Sequence, residues 1–93
     1  MFERILKALR EKVRTRQYVM TLHAEDEMND DGLTIFDVER GILTGEMIER
    51  QKDNVTAEWK YLVRGQTVEG GTVWVVTKLS PTGKMVILTV YVE

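Results

Sequence analysis

The chain has 93 residues, which suits one domain with one hydrophobic core. It contains no cysteine and a single histidine, which excludes a disulfide, a cysteine nucleophile, a cysteine-based zinc site and any site needing two histidines of one chain. Hydrophobic residues make up 43% and charged residues 30%, a composition typical of a folded domain. We therefore expect a single domain over residues 1–93, with an amphipathic basic helix over residues 2–15 and an α+β core over residues 17–92.

Charge is distributed unevenly, although the net charge is only −2. Residues 1–22 carry six basic and two acidic side chains, whereas residues 23–53 carry ten acidic and three basic ones. A globally acidic protein gains little from general attraction to nucleic acid, so contact with RNA requires a local basic face. The N-terminal segment lacks the apolar run of a signal peptide, and no segment approaches membrane-spanning length. We expect a cytoplasmic protein without a membrane partner.

The first predicted element is the basic helix. Apolar side chains recur in it at helical spacing, at Phe2, Ile5, Leu6, Leu9 and Val13. Its basic face suits nucleic acid, an anionic membrane surface or an acidic partner. We expect instead that the apolar stripe docks on the domain's own sheet, because a domain this small needs the additional buried area.

A short strand and an acidic helix follow. The strand is predicted over residues 17–21, which are rich in β-favourable side chains. Either Thr21 or His23 would cap the helix, and carboxylates in its first turn suit the positive end of the helix dipole. The Asp-Asp-Gly turn at residues 30–32 is expected to end it.

The third helix has the clearest local pattern. Thr34 and Asp37 match a capping box, in which each side chain bonds to the other's backbone amide. Ile35, Val38 and Ile42 fall on one face, and Gly45 is placed to end the helix. This segment is therefore predicted to be a helix that starts at the Thr34 cap and is terminated by Gly45.

Beyond Gly45 the hydrophobic period changes to two, which predicts strands. A weak strand starts at Met47, and stronger ones cover residues 58–66, 72–79 and 86–92, the last two joined by a tight turn at residues 80–83. The order is αβααββββ. We therefore predict an α+β fold in which N-terminal helices pack on one face of a C-terminal antiparallel β-meander.

The strand alternation also predicts a polar face on the sheet. Lys60 and Arg64 share one face of their strand, and Lys78 shares a face with Trp74 on the next. In the last strand Thr89 and Tyr91 lie opposite an aliphatic set consisting of Val86, Leu88, Val90 and Val92. If the aliphatic set packs on the helices, Thr89 and Tyr91 face outward beside the basic side chains.

The only imidazole belongs to His23. A histidine near a helix start is commonly a cap or a surface residue, but imidazole also serves as a general acid or base because it titrates near neutrality. Together with the guanidinium of Arg64 and the phenol of Tyr91, it could bind and cleave a phosphodiester. The alternative is a solvated face on which lysine and arginine stems cover apolar surface.

Short motifs between residues 18 and 92 carry a family resemblance through their order and spacing. They are His23-Ala24, Met28, Gly32-Leu33-Thr34, Asp37-Val38, Gly45, Lys60-Tyr61, Gly65 and Ile87–Tyr91. In these motifs the chain resembles an uncharacterised bacterial domain-of-unknown-function family grouped with RelE- and BrnT-like toxins. The resemblance implies a RelE-like fold and, by extension, an mRNA endonuclease of toxin–antitoxin type restrained by an antitoxin partner. In that chemistry the ribose 2′-hydroxyl attacks the adjacent phosphate, so neither a metal ion nor another cofactor is implied.

The residue types and the resemblance together suggest which residues act in RNA cleavage and which bind the substrate. His23 is the expected general acid or base, Arg64 contacts the scissile phosphate, and Tyr91 orients the substrate or transfers a proton. The expected substrate-binding residues are Lys60, Lys78 and Thr89.

Three features depart from the family pattern: two acidic residues, and the absence of a histidine where Val73 and Trp74 stand. Glu27 and Asp31 stand where family members commonly carry arginine, and carboxylates there repel RNA. The alternative is therefore a non-catalytic RelE-like module that binds a basic protein partner. A homodimer formed through the first helix is a third option.

Overall fold

The computed structural model describes residues 3–93, so the predicted place of Phe2 in the first helix lies outside the described residues. The elements are α1 (Glu3–Arg14), β1 (Tyr18–Met20), α2 (Leu22–Asp30), α3 (Ile35–Thr44), β2 (Glu46–Lys52), β3 (Trp59–Gln66), β4 (Thr72–Leu79) and β5 (Met85–Val92). Both the predicted order αβααββββ and the α+β class are confirmed.

The strands form one five-stranded sheet in the order β1-β5-β4-β3-β2. Strands β2 to β5 make the predicted antiparallel meander, and β1 adds to its edge in parallel with β5, so the sheet is mixed. Strand β1 pairs only with the first part of β5, from Met85 to Ile87. The edge of β5 beyond Ile87 is therefore left for α2, which packs beside it.

Local sequence explains the helix ends. Thr21, not His23, is the N-cap of α2, and its side chain accepts a hydrogen bond from the amide of Ala24 at 3.1 Å. The capping box of Thr34 and Asp37 is present at the start of α3, as predicted. Helix α2 ends at Asp30, and Gly32 then takes the left-handed conformation that the turn requires.

The hydrophobic core lies between the helices and one face of the sheet, here called the helix face. Helix α3 covers β3 and β4, α2 lies against β5, and α1 packs on α3. From α1, Leu9 is 0% exposed and Val13 is buried in the same core cluster, so the apolar stripe docks within the domain, with α3 rather than the predicted sheet as its main packing partner. The Arg10 side chain adds a hydrogen bond of 2.9 Å to the carbonyl of Gly45.

A bulge in β5 changes which of its residues face the helices. The pairing with β4 passes from Ile87 directly to Thr89, so Leu88 is an extra residue. Before the bulge Met85 and Ile87 are buried, and after it Val90 is buried.

The prediction that Val86 and Leu88 lie on the helix face is therefore wrong, because the extra residue shifts the alternation by one position. For Val90 the prediction is correct. Thr89 and Tyr91 consequently lie on the opposite face of the sheet, here called the open face.

Among residues 3–93, no helix combines the length and apolar character that crossing a bilayer demands.

Candidate active site on the open face and at the sheet edge

The open face collects five of the six residues that the sequence singled out. Cross-strand pairing aligns Arg64 with Trp74 and Trp74 with Tyr91, so these three side chains form a row across β3, β4 and β5. The remaining predicted residues on this face are Lys60, Lys78 and Thr89.

Trp74 occupies the centre of that row. Its ring lies nearly parallel to that of Tyr91, with an interplanar angle of 4° and 5.9 Å between ring centroids. The guanidinium carbon of Arg64 lies 5.5 Å from the Trp74 ring centroid on the other side. Partly exposed aromatic rings beside an arginine are a surface on which unpaired nucleobases stack.

A cavity of about 200 Å³ lies beside this row. The three predicted substrate-binding residues, Lys60, Lys78 and Thr89, line it. The other lining residues are Val76, Leu88, Thr56 and two carboxylates, Asp53 and Glu58. Its volume is below the roughly 300–1,000 Å³ of a typical small-molecule site. It therefore suits one group of a larger ligand better than a complete small molecule.

Every predicted open-face cation has a carboxylate partner: Arg64 pairs with Glu46, Lys60 with Asp53 at 3.6 Å, and Lys78 with Glu58 at 3.1 Å. Hydrogen bonds from the amides of Val55 and Thr56 lower the pKa of Asp53, so this carboxylate is charged at neutral pH. The pairing reduces the attraction of the face for a polyanion, because each positive charge is partly neutralised by its neighbour.

His23 lies on α2 at the outer edge of the sheet, with 69% of its side chain exposed. Its Nε2 is 3.1 Å from Oε1 of Glu27, and the same oxygen accepts a hydrogen bond of 3.2 Å from the amide of Val90. One carboxylate oxygen thus links the imidazole to the β5 backbone between Thr89 and Tyr91. The helix segment that carries the His23 imidazole is therefore bonded to the part of β5 that carries the Tyr91 phenol.

The helix that carries His23 is held in place by a second contact. The hydroxyl of Thr21 donates a hydrogen bond of 3.2 Å to the carbonyl of Leu88. Arg64 is farther away, because β4 separates β3 from β5 and neighbouring strands lie about 4.8 Å apart. The described contacts do not bring His23 and Arg64 together.

The geometry of the imidazole suits acid–base chemistry. A carboxylate that holds one ring nitrogen fixes the orientation and the tautomer of the imidazole. Within residues 3–93, the Nδ1 atom of His23 has no hydrogen-bond partner, so it is available to a proton of a substrate.

Two residues that contribute to the site are not among those predicted from the sequence. Trp74 was placed on the correct face but given no role, although it connects Arg64 to Tyr91. The sequence pattern assigns Glu27 to the first turn of α2 and to a repulsive substitution, but not to a pair with His23. Its spacing of four residues from His23 on a predicted helix could have indicated the pair, because such side chains are neighbours.

Comparison with known proteins places the chain in a family. A family profile described as a domain of unknown function (DUF4258) matches residues 20–92. No curated protein and no solved structure gives a significant match. The chain therefore belongs to the DUF4258 family, and the predicted resemblance to a domain-of-unknown-function family is confirmed.

Proposed function

We propose that this member of the DUF4258 family is a metal-independent RNA endonuclease of the RelE- and BrnT-like toxin type. The observation that carries the proposal is the pairing of His23 with Glu27, whose carboxylate is bound to the β5 backbone at Val90. It supplies an exposed and oriented imidazole beside the strand that carries Thr89 and Tyr91. The stacked pair of Trp74 and Tyr91 adds a surface suited to unpaired bases.

In the proposed reaction, the Nδ1 atom of His23 accepts the proton of a ribose 2′-hydroxyl. The 2′-oxygen bonds to the adjacent phosphorus, and the bond from phosphorus to the 5′-oxygen breaks. The phenol of Tyr91 donates a proton to the departing 5′-oxygen. The products are a 2′,3′-cyclic phosphate and a free 5′-hydroxyl. The proton gained by His23 then returns to the Tyr91 phenolate through solvent, so atoms and charge balance without a cofactor.

Arg64 acts on the phosphate backbone in this scheme. Its guanidinium presents a planar set of donors that matches phosphate geometry. Because Arg64 lies across Trp74 from Tyr91, a single strand running across the sheet would place one base on the rings and the next phosphate at the guanidinium. Lys60, Lys78 and Thr89 line the cavity beside that path and contact the sugar-phosphate groups.

Inducible expression tests the proposal. Expression of the parent protein should arrest growth and degrade mRNA, and His23→Ala or Arg64→Ala should restore both. Lys84→Ala is the matched control, because Lys84 is an exposed cation in the turn between β4 and β5. Purified protein should release 2′,3′-cyclic phosphate ends from single-stranded RNA in the presence of a chelator. Normal growth and intact mRNA at confirmed soluble levels of the parent protein would refute the proposal.

A second candidate function is a non-catalytic module that binds a basic protein partner. The specific observation in its favour is that Arg64, Lys60 and Lys78 are all ion-paired, which weakens RNA binding. Affinity capture from a native lysate should then return a stoichiometric protein partner while added RNA stays intact. Recovery of the bare protein would remove this candidate.

A further inference from the structure

A second concave surface lies away from the row of Arg64, Trp74 and Tyr91. It is a cavity of about 580 Å³ where the start of α3 meets the hairpin between β3 and β4, and we call it the α3 cavity. Its apolar lining comes from Leu33, Phe36 and Val68, and its carboxylates are Asp31, Asp37 and Glu69. None of the described residues that line it is basic.

The apolar part of the α3 cavity is unusually open to solvent. Phe36 is 64% exposed and Val68 is 57% exposed, although the exposure of apolar side chains to water is energetically unfavourable. They lie on two different elements and line the same concavity. Exposed apolar side chains collected in a concave surface are characteristic of an interaction site, since the apolar group of a partner can be buried between them.

The walls of the α3 cavity are already fixed in the free protein. One carboxylate oxygen of Asp37 accepts a hydrogen bond of 2.9 Å from the amide of Thr34, and the other accepts one of 2.9 Å from the amide of Val68. A single side chain thus ties the start of α3 to the β3–β4 hairpin. A cavity held in this way binds a ligand with little loss of its own conformational entropy.

The charge of the lining determines the class of occupant. The hydrogen bonds to Asp37 lower its pKa, so its carboxylate is ionised at neutral pH, and Asp31 and Glu69 add further negative charge near it. Without a cation in the described lining, an anionic ligand is repelled and a cationic one is attracted.

We propose that the α3 cavity binds a segment of a partner protein that presents an apolar side chain flanked by lysine or arginine. This inference rests on the second candidate function and gives it a location and a ligand class. The basic helix α1 of a second copy is a poor occupant, because its apolar residues Leu9 and Val13 are already buried in its own core.

Defined peptides test the inference by fluorescence anisotropy. The probe is a labelled decapeptide with two central leucines and four flanking arginines. One comparison peptide replaces its arginines with glutamate, and another replaces its leucines with serine. The first peptide should bind about tenfold more tightly than either comparison peptide, because apolar and charged contacts each contribute. The variants Phe36→Ser and Glu69→Lys should each weaken its binding by about tenfold.

Two control variants make the same kinds of substitution outside the α3 cavity. Val55→Ser removes an apolar side chain that is 93% exposed in the loop after β2, and Glu3→Lys makes the same charge change on α1. Both should bind the first peptide as tightly as the parent. Equal binding of the serine peptide, unchanged binding by Phe36→Ser, or no binding of any peptide would overturn the inference. So would self-association, measured by light scattering, that Phe36→Ser abolishes.

Failure of this inference is distinguishable from failure of the proposed functions. His23→Ala should bind the peptide normally, and Phe36→Ser should leave RNA cleavage unchanged, because the two sites use different residues. If a stoichiometric partner is captured from lysate equally well by Phe36→Ser, the second candidate function survives and the α3 cavity is excluded as its binding site.

Discussion

Gly65 in β3 lies so close to Gly41 in α3 that a Cβ atom on Gly65 would fall 1.8 Å from the Gly41 carbonyl oxygen. The backbone of α3 therefore rests directly on the backbone of β3. Because successive side chains of a strand point to opposite faces, this contact also directs the neighbouring Arg64 to the open face. Helix packing on one face thus sets the position of a candidate functional residue on the other.

This contact predicts a large effect of Gly65→Ala. The added methyl group has no space unless α3 moves away from β3, and overpacking of this kind destabilises a protein by roughly 1–3 kcal/mol, occasionally more. We expect a loss of about 3 kcal/mol in the free energy of unfolding, measured by urea denaturation. Gln66→Ala, at the exposed next position, should change it by less than about 0.5 kcal/mol. Similar stability of the two variants would contradict the close packing.

The capping box at the start of α3 predicts a second stability effect. Thr34→Ala removes the hydroxyl that accepts a hydrogen bond from the Asp37 amide, and loss of such a cap costs about 1 kcal/mol. Thr34→Ser keeps the hydroxyl and should restore most of the stability. The measurement is again urea denaturation, and equal losses in the two variants would show that the hydroxyl is not responsible.

Asp37 should make stability dependent on acid pH. Hydrogen bonds from the amides of Thr34 and Val68 lower its pKa in the folded protein below the ordinary value of 3.8. Its contribution is therefore complete above pH 3.8 and is lost as the pH falls through the lower folded value. The free energy of unfolding of the parent should fall more steeply below about pH 4 than that of Asp37→Asn. The exposed Asp26→Asn should retain the slope of the parent, and a parental slope in Asp37→Asn would contradict the assignment.

The outcome for the fold shows where sequence reasoning succeeds and where it stops. The cap of α3 depends on two residues three positions apart, so the local pattern is sufficient to predict it. The bulge at Leu88 depends on how β5 pairs with β4, which local alternation does not specify. The parallel pairing of Tyr18 with Met85 likewise joins distant segments of the chain.

The same distinction applies to the candidate site. The period of two brings Arg64 and Lys60 to one face, so their shared location is predictable from the strand pattern alone. The carboxylate partners on that face come from other elements, and only the sheet register identifies them. The position of His23 depends on the hydrogen bond between Glu27 and Val90, residues 63 positions apart, for which the sequence gives no direct indication.

The ion pairs on the open face predict that removing one carboxylate strengthens RNA binding. Glu58→Gln removes the charge opposite Lys78, which then becomes available to a phosphate. The affinity for single-stranded RNA should rise. A plot of the logarithm of the association constant against the logarithm of the salt concentration should become steeper by about 0.7 for one additional phosphate contact. Filter binding between low and moderate salt measures both quantities.

The control for this change is Glu25→Gln, which alters the net charge equally on the exposed surface of α2. It should leave the salt slope unchanged, because Glu25 is not paired with an open-face cation. Equal slopes for Glu58→Gln and the parent would mean that Lys78 does not contact RNA.

The stacked rings predict a direct spectroscopic response to RNA. The chain has two tryptophans, so the variant Trp59→Phe leaves Trp74 as the sole indole emitter. Because a base that stacks on the rings of Trp74 and Tyr91 quenches indole emission, an unpaired oligouridine should reduce the fluorescence of this variant. Removing the neighbouring ring with Tyr91→Ala should weaken the titrated affinity by roughly 1–3 kcal/mol. Duplex RNA of the same length should cause little quenching, since its bases are already stacked. An oligouridine titration that leaves the emission unchanged would exclude Trp74 from the RNA path.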